Sequence, residues 1–215
     1  MTETFAQSRS SRTDSGSLAL RLRRETAEAH EAVERLPLMV ALMSDAVTRD
    51  AYRRYLVVMA GIYAPVEEQL YGGLSEELVE RLGVRPKMPA LLRDLSEQGE
   101  TWTPRPEVAR WHEPLEPLAP SDESALVGGI YVLEGATLGG RTIARHLARV
   151  LGDAFGAGSF LDFHGRKTSS VWKHFSQELT ALAEAGRLDA DGVIHGALAT
   201  FDQVHRNLAQ WGELD

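Results

Sequence analysis

Residues 125–151 read ALVGGIYVLEGATLGGRTIARHLARVL, an apolar, helix-compatible run that nevertheless carries Gly128, Gly129, Gly135, Gly139 and Gly140. Each glycine inside a helix costs roughly 1 kcal/mol relative to alanine, so five cost about 5 kcal/mol, comparable to the stability of a small domain. A structural demand must offset that loss. Helices give up side chains where another backbone, or a flat ligand, has to approach more closely than a Cβ permits. Gly135 and Gly139 lie one turn apart on one face, which makes that face smooth. Two readings stay open at this point: close helix packing through small residues, or a planar ligand lying against the helix. A phosphate-binding loop does not fit, because no strand pattern precedes these glycines and no Lys-Ser/Thr pair follows them.

On either side of this stretch the apolar residues recur at helical spacing. Upstream, LALRLRRETAEAHEAVERL places Leu18, Leu22, Ala29, Val33 and Leu36 on one stripe, with Ser17 as the expected N-cap. A short apolar piece follows Pro37. Tyr52, Tyr55, Leu56, Met59, Ile62, Tyr63, Val66 and Leu70 then mark a long helix from about Thr48, with Pro65 as a possible kink. Further helices fit 75–82, ending at Gly83, and 89–95. Residues 99–120 hold five prolines and read as the main long connection, after which Ser121 and Asp122 are expected to cap the glycine-bearing helix. Downstream, Val171, Trp172, Phe175, Leu179 and Leu182 form another face, closed by Gly186. Asp189 or Asp191 caps a last helix bearing Val193, Ala197, Phe201, Val204, Leu208 and Trp211. The expectation is an all-α single domain of seven or eight helices over 17–215, preceded by a disordered leader, 1–16.

Composition removes whole classes of function. The chain of 215 residues has no cysteine, which excludes disulfides, Cys-ligated zinc, iron–sulfur clusters and thiol catalysis. A formal net charge of −8 argues against nucleic acid or an anionic membrane surface as the main partner. No apolar run approaches the roughly 20 residues needed to span a bilayer, and a cytoplasmic protein is expected.

Seven histidines are present, and none forms the HxxxH or HExxH pair that seats zinc on a helix. Histidines 146, 174 and 205 read as partly buried or surface residues. His30 alone would read as a core-edge residue on the shoulder of the first stripe. Arg23, seven residues earlier and about 10.5 Å away along the helix, shares nearly the same meridian. One imidazole, a cation two turns off and an opposing wall without side chains together describe a slot for haem, whose iron needs one neutral imidazole and an open opposite face. Asp202 with His205, and His30 with Glu34, suggest half of a carboxylate-bridged di-iron site, but no second Glu-x-x-His completes it.

The segments TAEAHEAVERLP around His30 and YVLEGATLGGRTIARHL around Gly135 resemble the proximal and distal helices of haem oxygenases. The wording is most similar to the bacterial biliverdin-producing branch associated with bacteriophytochromes, and the likeness runs in order from about residue 18 to 211. The resemblance implies that His30 is the axial iron ligand and that Gly135 and Gly139 let backbone approach the ring. It implies propionate contacts from Arg23, Tyr131 and Lys173, with Lys167 a further candidate. The segment FHGRKTSSVWKHF resembles the family's Tyr-Gly and Trp-x-x-Phe pattern, which brings Phe175 into the cofactor-binding set and puts Phe163-His164 where a tyrosine is usual. Ala136 stands where animal enzymes have an aspartate that organises proton-carrying water, and Arg141 is the nearby candidate for helping such a network.

The implied reaction opens haem b, at once substrate and cofactor, at a meso carbon, using O2 and external electrons to give biliverdin, CO and ferrous iron. No Rossmann glycine motif is visible, so electrons must come from a ferredoxin or an NADPH-dependent reductase. A bacteriophytochrome is the implied acceptor of the product, and a monomer is expected. The alternatives are a haem-holding or delivery protein without turnover and a same-fold di-iron oxidase. A same-fold thiamine-salvage hydrolase is excluded by its need for a cysteine.

Overall fold

The apolar periodicities resolve into helices throughout. The structure, a computed structural model, describes residues 17–103 and 123–211. Among the described residues there are nine α-helices and no strand: α1 Leu18–Glu25, α2 Ala27–Glu34, α3 Pro37–Leu42, α4 Arg49–Gly73, α5 Glu76–Leu82, α6 Met88–Glu97, α7 Glu123–Leu151, α8 Thr168–Glu184 and α9 Ala190–Trp211. The expected leader, most of the proline-rich connection and the Ser121/Asp122 cap lie outside the described residues.

The count exceeds the expected seven or eight because the first predicted helix is divided at Thr26. That residue is buried, and its hydroxyl donates to the Leu22 carbonyl at 2.8 Å. Such back-bonding competes with the backbone ladder and bends helices. The consequence is that α1 and α2 carry Arg23 and His30 on separate segments. Elsewhere the punctuation follows the residues. Thr48 caps α4, its hydroxyl accepting from Ala51 N at 3.2 Å, and Pro65 lies inside α4 without ending it. Gly83 closes α5 in the left-handed region at φ 66°. Asp189, rather than Asp191, caps α9 by accepting from Gly192 N at 2.7 Å.

The long helices α7 and α9 form the central pair, with α4 crossing both. Their approach is set by glycines: a Cβ on Gly128 would lie 2.0 Å from the Val193 carbonyl oxygen, and one on Gly196 would lie 1.9 Å from that of Ala125. Main chain thus meets main chain there. A Cβ on Gly129 would strike the Leu70 side chain at 2.6 Å, and one on Gly140 the Leu161 carbonyl oxygen at 2.7 Å. Three of the five glycines in α7 therefore serve close packing, Gly128 and Gly129 against helices and Gly140 against the segment that follows α7. Among the described residues no helix is long and apolar enough to cross a membrane.

Candidate active site

The other two glycines behave differently. A Cβ on Gly139 would meet nothing within 4 Å, and one on Gly135 would touch only the Trp172 ring, at 3.6 Å. Both face a cavity of about 780 Å³, inside the roughly 300–1,000 Å³ range of small-molecule sites. Residues 135–140 of α7 form one wall, and Arg23, Thr26, Ala27 and His30 from α1 and α2 contribute another. Tyr55, Met59 and Tyr63 of α4 and Phe201, Val204 and Leu208 of α9 also line it. Spacing alone had assigned these six to the core.

His30 keeps a side chain that is 55% exposed, with Nδ1 at 3.7 Å from Glu34 Oε2. The ring stands edge-on to Phe201, centroids 6.0 Å apart. A carboxylate near Nδ1 favours the tautomer that leaves Nε2 available as a ligand atom. Arg23 is exposed on the cavity lining, near the Tyr131 hydroxyl. Burial pushes the Tyr131 phenol up from its ordinary range, while Thr26 and the Arg23 charge pull it back. Burial likewise raises Tyr55 and Tyr63, so both remain protonated, donor-capable groups.

Not every predicted residue reaches this cavity. Lys167 and Lys173 are exposed and absent from its lining. Phe175 is fully buried in the core behind Trp172, the two rings stacked with centroids 5.6 Å apart. Arg141 pairs with Asp162 at 3.5 Å, also off the lining. The resemblance implied ligand contact for Lys167, Lys173 and Phe175 and a water-organising part for Arg141, and none of the four lines this cavity. Ala136 lines the cavity and brings no acid to it.

Sequence reasoning missed a buried ionic cluster beside the same wall. Lys87, which lines the cavity, pairs its Nζ with Glu134 Oε1, and His164 Nε2 lies 2.9 Å from Glu134 Oε2. Burial pushes the Glu134 carboxyl up, yet the His164 hydrogen bond and the Lys87 charge together hold it below the ordinary range. Glu134 was the available signal, an ionisable residue inside the apolar run IYVLEG. Nothing near Lys87 in sequence marked it.

No three His, Asp or Glu side chains among the described residues converge in a way that would hold a metal ion. Asp202, half of the di-iron alternative, pairs with Arg206. The slot instead suits a flat ligand whose metal needs one protein nitrogen. The Heme oxygenase family model matches residues 16–210, and the chain belongs to that family. A haem oxygenase of Xanthomonas campestris pv. campestris is 30% identical over 179 residues, which cover 80% of this chain and 97% of that protein. In fold the chain is similar to the haem oxygenase of Leptospira interrogans (TM-score 0.71, 21% identity, 91% and 100% of the two chains). It is also similar to the NO- and CO-bound haem oxygenase of Neisseria meningitidis (TM-score 0.68, 20% identity, 94% of each chain).

Proposed function

We propose that this protein is a haem oxygenase of the biliverdin-producing type, opening haem b at a meso carbon with O2 and external electrons to give biliverdin, CO and ferrous iron. The observation that carries the reading is the cavity itself: His30 on one wall, and Gly135 and Gly139, whose missing side chains leave open space, on another. When bound, haem supplies both the iron at which O2 is reduced and the meso carbon at which the ring opens. The chain's own contribution is geometric. His30 would hold the iron through a ring nitrogen, with the Glu34 carboxylate 3.7 Å from Nδ1 on the other side of the ring. The glycine wall would admit a flat ring up to main chain. Arg23 and Tyr131 stand on the lining where carboxylate tails of the ligand would meet a cation and a phenol. Apolar groups from α4 and α9 exclude bulk water.

The proposal extends to a ferredoxin or NADPH-dependent reductase as electron donor, since the sequence has no dinucleotide-binding glycine motif. It extends also to a bacteriophytochrome as biliverdin acceptor, on the likeness of the EGATLGG and AHEAVE segments to that branch, and to a cytoplasmic monomer. Haemin titration of wild type and His30→Ala tests the ligand: the variant is expected to lose the wild-type Soret position and ferric spin state, and retention of both overturns the assignment. Ascorbate or a reductase in air then tests turnover. Loss of the Soret band with growth of a biliverdin band is expected, whereas a Soret band that persists identifies a haem-holding protein.

A further inference from the structure

Lys167 and Lys173, exposed and off the cavity lining, are left without a task there. They belong to a longer feature. Residues 163–177, FHGRKTSSVWKHFSQ, contain Arg166, Lys167 and Lys173 and no Asp or Glu, in a chain whose formal net charge is −8. All three side chains are exposed, and among the described residues none of them makes an ion pair, a hydrogen bond or a ring contact. The acids that bracket the stretch are taken by other cations: Asp162 lies 3.5 Å from Arg141, and Glu178 lies 2.9 Å from Arg81. Unpaired charge of one sign steers an oppositely charged partner toward the surface that carries it.

The place of these cations in the fold gives them a use. Lys173 stands next to Trp172 and one turn before Ser176, and both of those line the cavity. The Trp172 ring meets that of Tyr131, centroids 5.5 Å apart, and the Arg23 charge acts on the Tyr131 hydroxyl from α1, which packs against α8. Here the cavity reaches the surface: Arg23 is exposed and Leu20 is 62% exposed, and both line it. The part of the lining that α2 supplies carries Glu31 and Glu34 instead. The mouth is thus cationic toward α8 and anionic toward α2.

We propose that Arg166, Lys167 and Lys173, with Arg23 at the edge of the cavity, form the docking surface for a small acidic electron-carrier protein. The inference rests on the haem-cleaving reading and names the partner which that reading needs. The sequence has no dinucleotide-binding glycine motif, so electrons come from outside the chain, and a carrier seated beside α8 brings its redox centre to the mouth of the cavity. Each encounter passes one electron from the reduced carrier to the ligand in the cavity; the carrier is oxidised, the ligand is reduced, and no bond forms or breaks. Rim charges of this kind govern the rate of encounter and its salt dependence, which suits a partner that must leave after each delivery.

The test uses the full haemin-loaded chain in three forms. These are wild type, the pair Lys167→Gln with Lys173→Gln, and a control pair, Arg93→Gln with Arg145→Gln, which removes two exposed cations elsewhere. Soret loss in air is followed with ascorbate and, separately, with an acidic plant-type 2Fe–2S ferredoxin kept reduced by its NADPH-dependent reductase. Both series are run at roughly 0.01 M and roughly 1 M ionic strength, where charges act over about 30 Å and about 3 Å. The lysine pair is expected to keep the wild-type haemin affinity and ascorbate rate. Its KM for ferredoxin should rise about tenfold at low ionic strength with kcat unchanged, and the difference should vanish at high ionic strength. The control pair should match wild type with both reductants. An unchanged KM for ferredoxin in the lysine pair overturns the proposal, and so does an equal rise in the control pair, which makes net charge the cause. A fall in haemin affinity or ascorbate rate in the lysine pair overturns it too, because the lysines then serve the cavity. Wild type turned over by ascorbate but not by ferredoxin refutes the acidic partner, whereas a Soret band that survives both reductants refutes the haem-cleaving reading instead.

Discussion

Replacing the glycines of α7 one at a time by alanine separates packing from ligand binding, because the same chemical change must have opposite signs at Gly128 and Gly139. At Gly128 the new Cβ would lie 2.0 Å from the Val193 carbonyl oxygen against the 3.4 Å at which ordinary contact begins, a shortfall of 1.4 Å between two main chains. Neither partner is a side chain that can swing away, so α7 and α9 must part. Overpacking of this kind costs about 3 kcal/mol, and the helix propensity of alanine returns about 1, leaving a loss of about 2 kcal/mol. For a domain of this size that is a fall of about 4–8 °C in Tm. At Gly139 the new Cβ meets nothing within 4 Å, so only the propensity gain of about 1 kcal/mol remains and Tm should rise by about 2–4 °C in haemin-free protein. The same methyl enters the cavity in which the proposed haem would lie, and haemin affinity should fall about tenfold, or 1.4 kcal/mol. Thermal unfolding monitored by circular dichroism and haemin titration read the two effects. Wild-type haemin affinity in Gly139→Ala, or an unchanged Tm in Gly128→Ala, refutes the division of the glycines.

Three further outcomes are expected. Arg23→Gln should weaken haemin binding by about 1 kcal/mol, less at high salt because the cation is exposed, whereas Lys167→Ala and Lys173→Ala should leave it unchanged; titration at two ionic strengths checks both. Glu134 is held below its ordinary range, so the stability it contributes is present above the unfolded pKa near 4.3 and is lost as pH falls through the lower folded value. Glu67, raised by burial, works in the opposite sense, so it is the difference in Tm between wild type and Glu134→Gln, followed from pH 7 to 3, that should shrink on acidification. Asp189→Ala removes the cap from α9 and should lower Tm by about 2–4 °C, for a cost of about 1 kcal/mol.

Much of the fold was legible because helical burial repeats along the chain. Leu56, Leu70, Leu179, Val193 and Leu208 are buried where their spacing placed them. Thr48, Gly83 and Asp189 mark boundaries through local chemistry that a few residues contain entirely. The division of the first helix at Thr26 was not legible, since a threonine inside an amphipathic stripe is ordinary until its hydroxyl is seen bonded to Leu22. Of the candidate site, His30, Arg23, Tyr131, Gly135 and Gly139 come together on one cavity, while Lys167, Lys173, Phe175 and Arg141 do not.

The amino-acid order by itself determined that this chain is helical, that one helix carries too many glycines to be ordinary, and that no thiol chemistry is available to it. Those properties are local or compositional. Only the tertiary structure decided which glycines face a helix and which face open space, because a missing Cβ says nothing about what lies beyond it. It alone also joined Lys87, Glu134 and His164, residues far apart in sequence that share charge only once α7 packs against the segments carrying the other two.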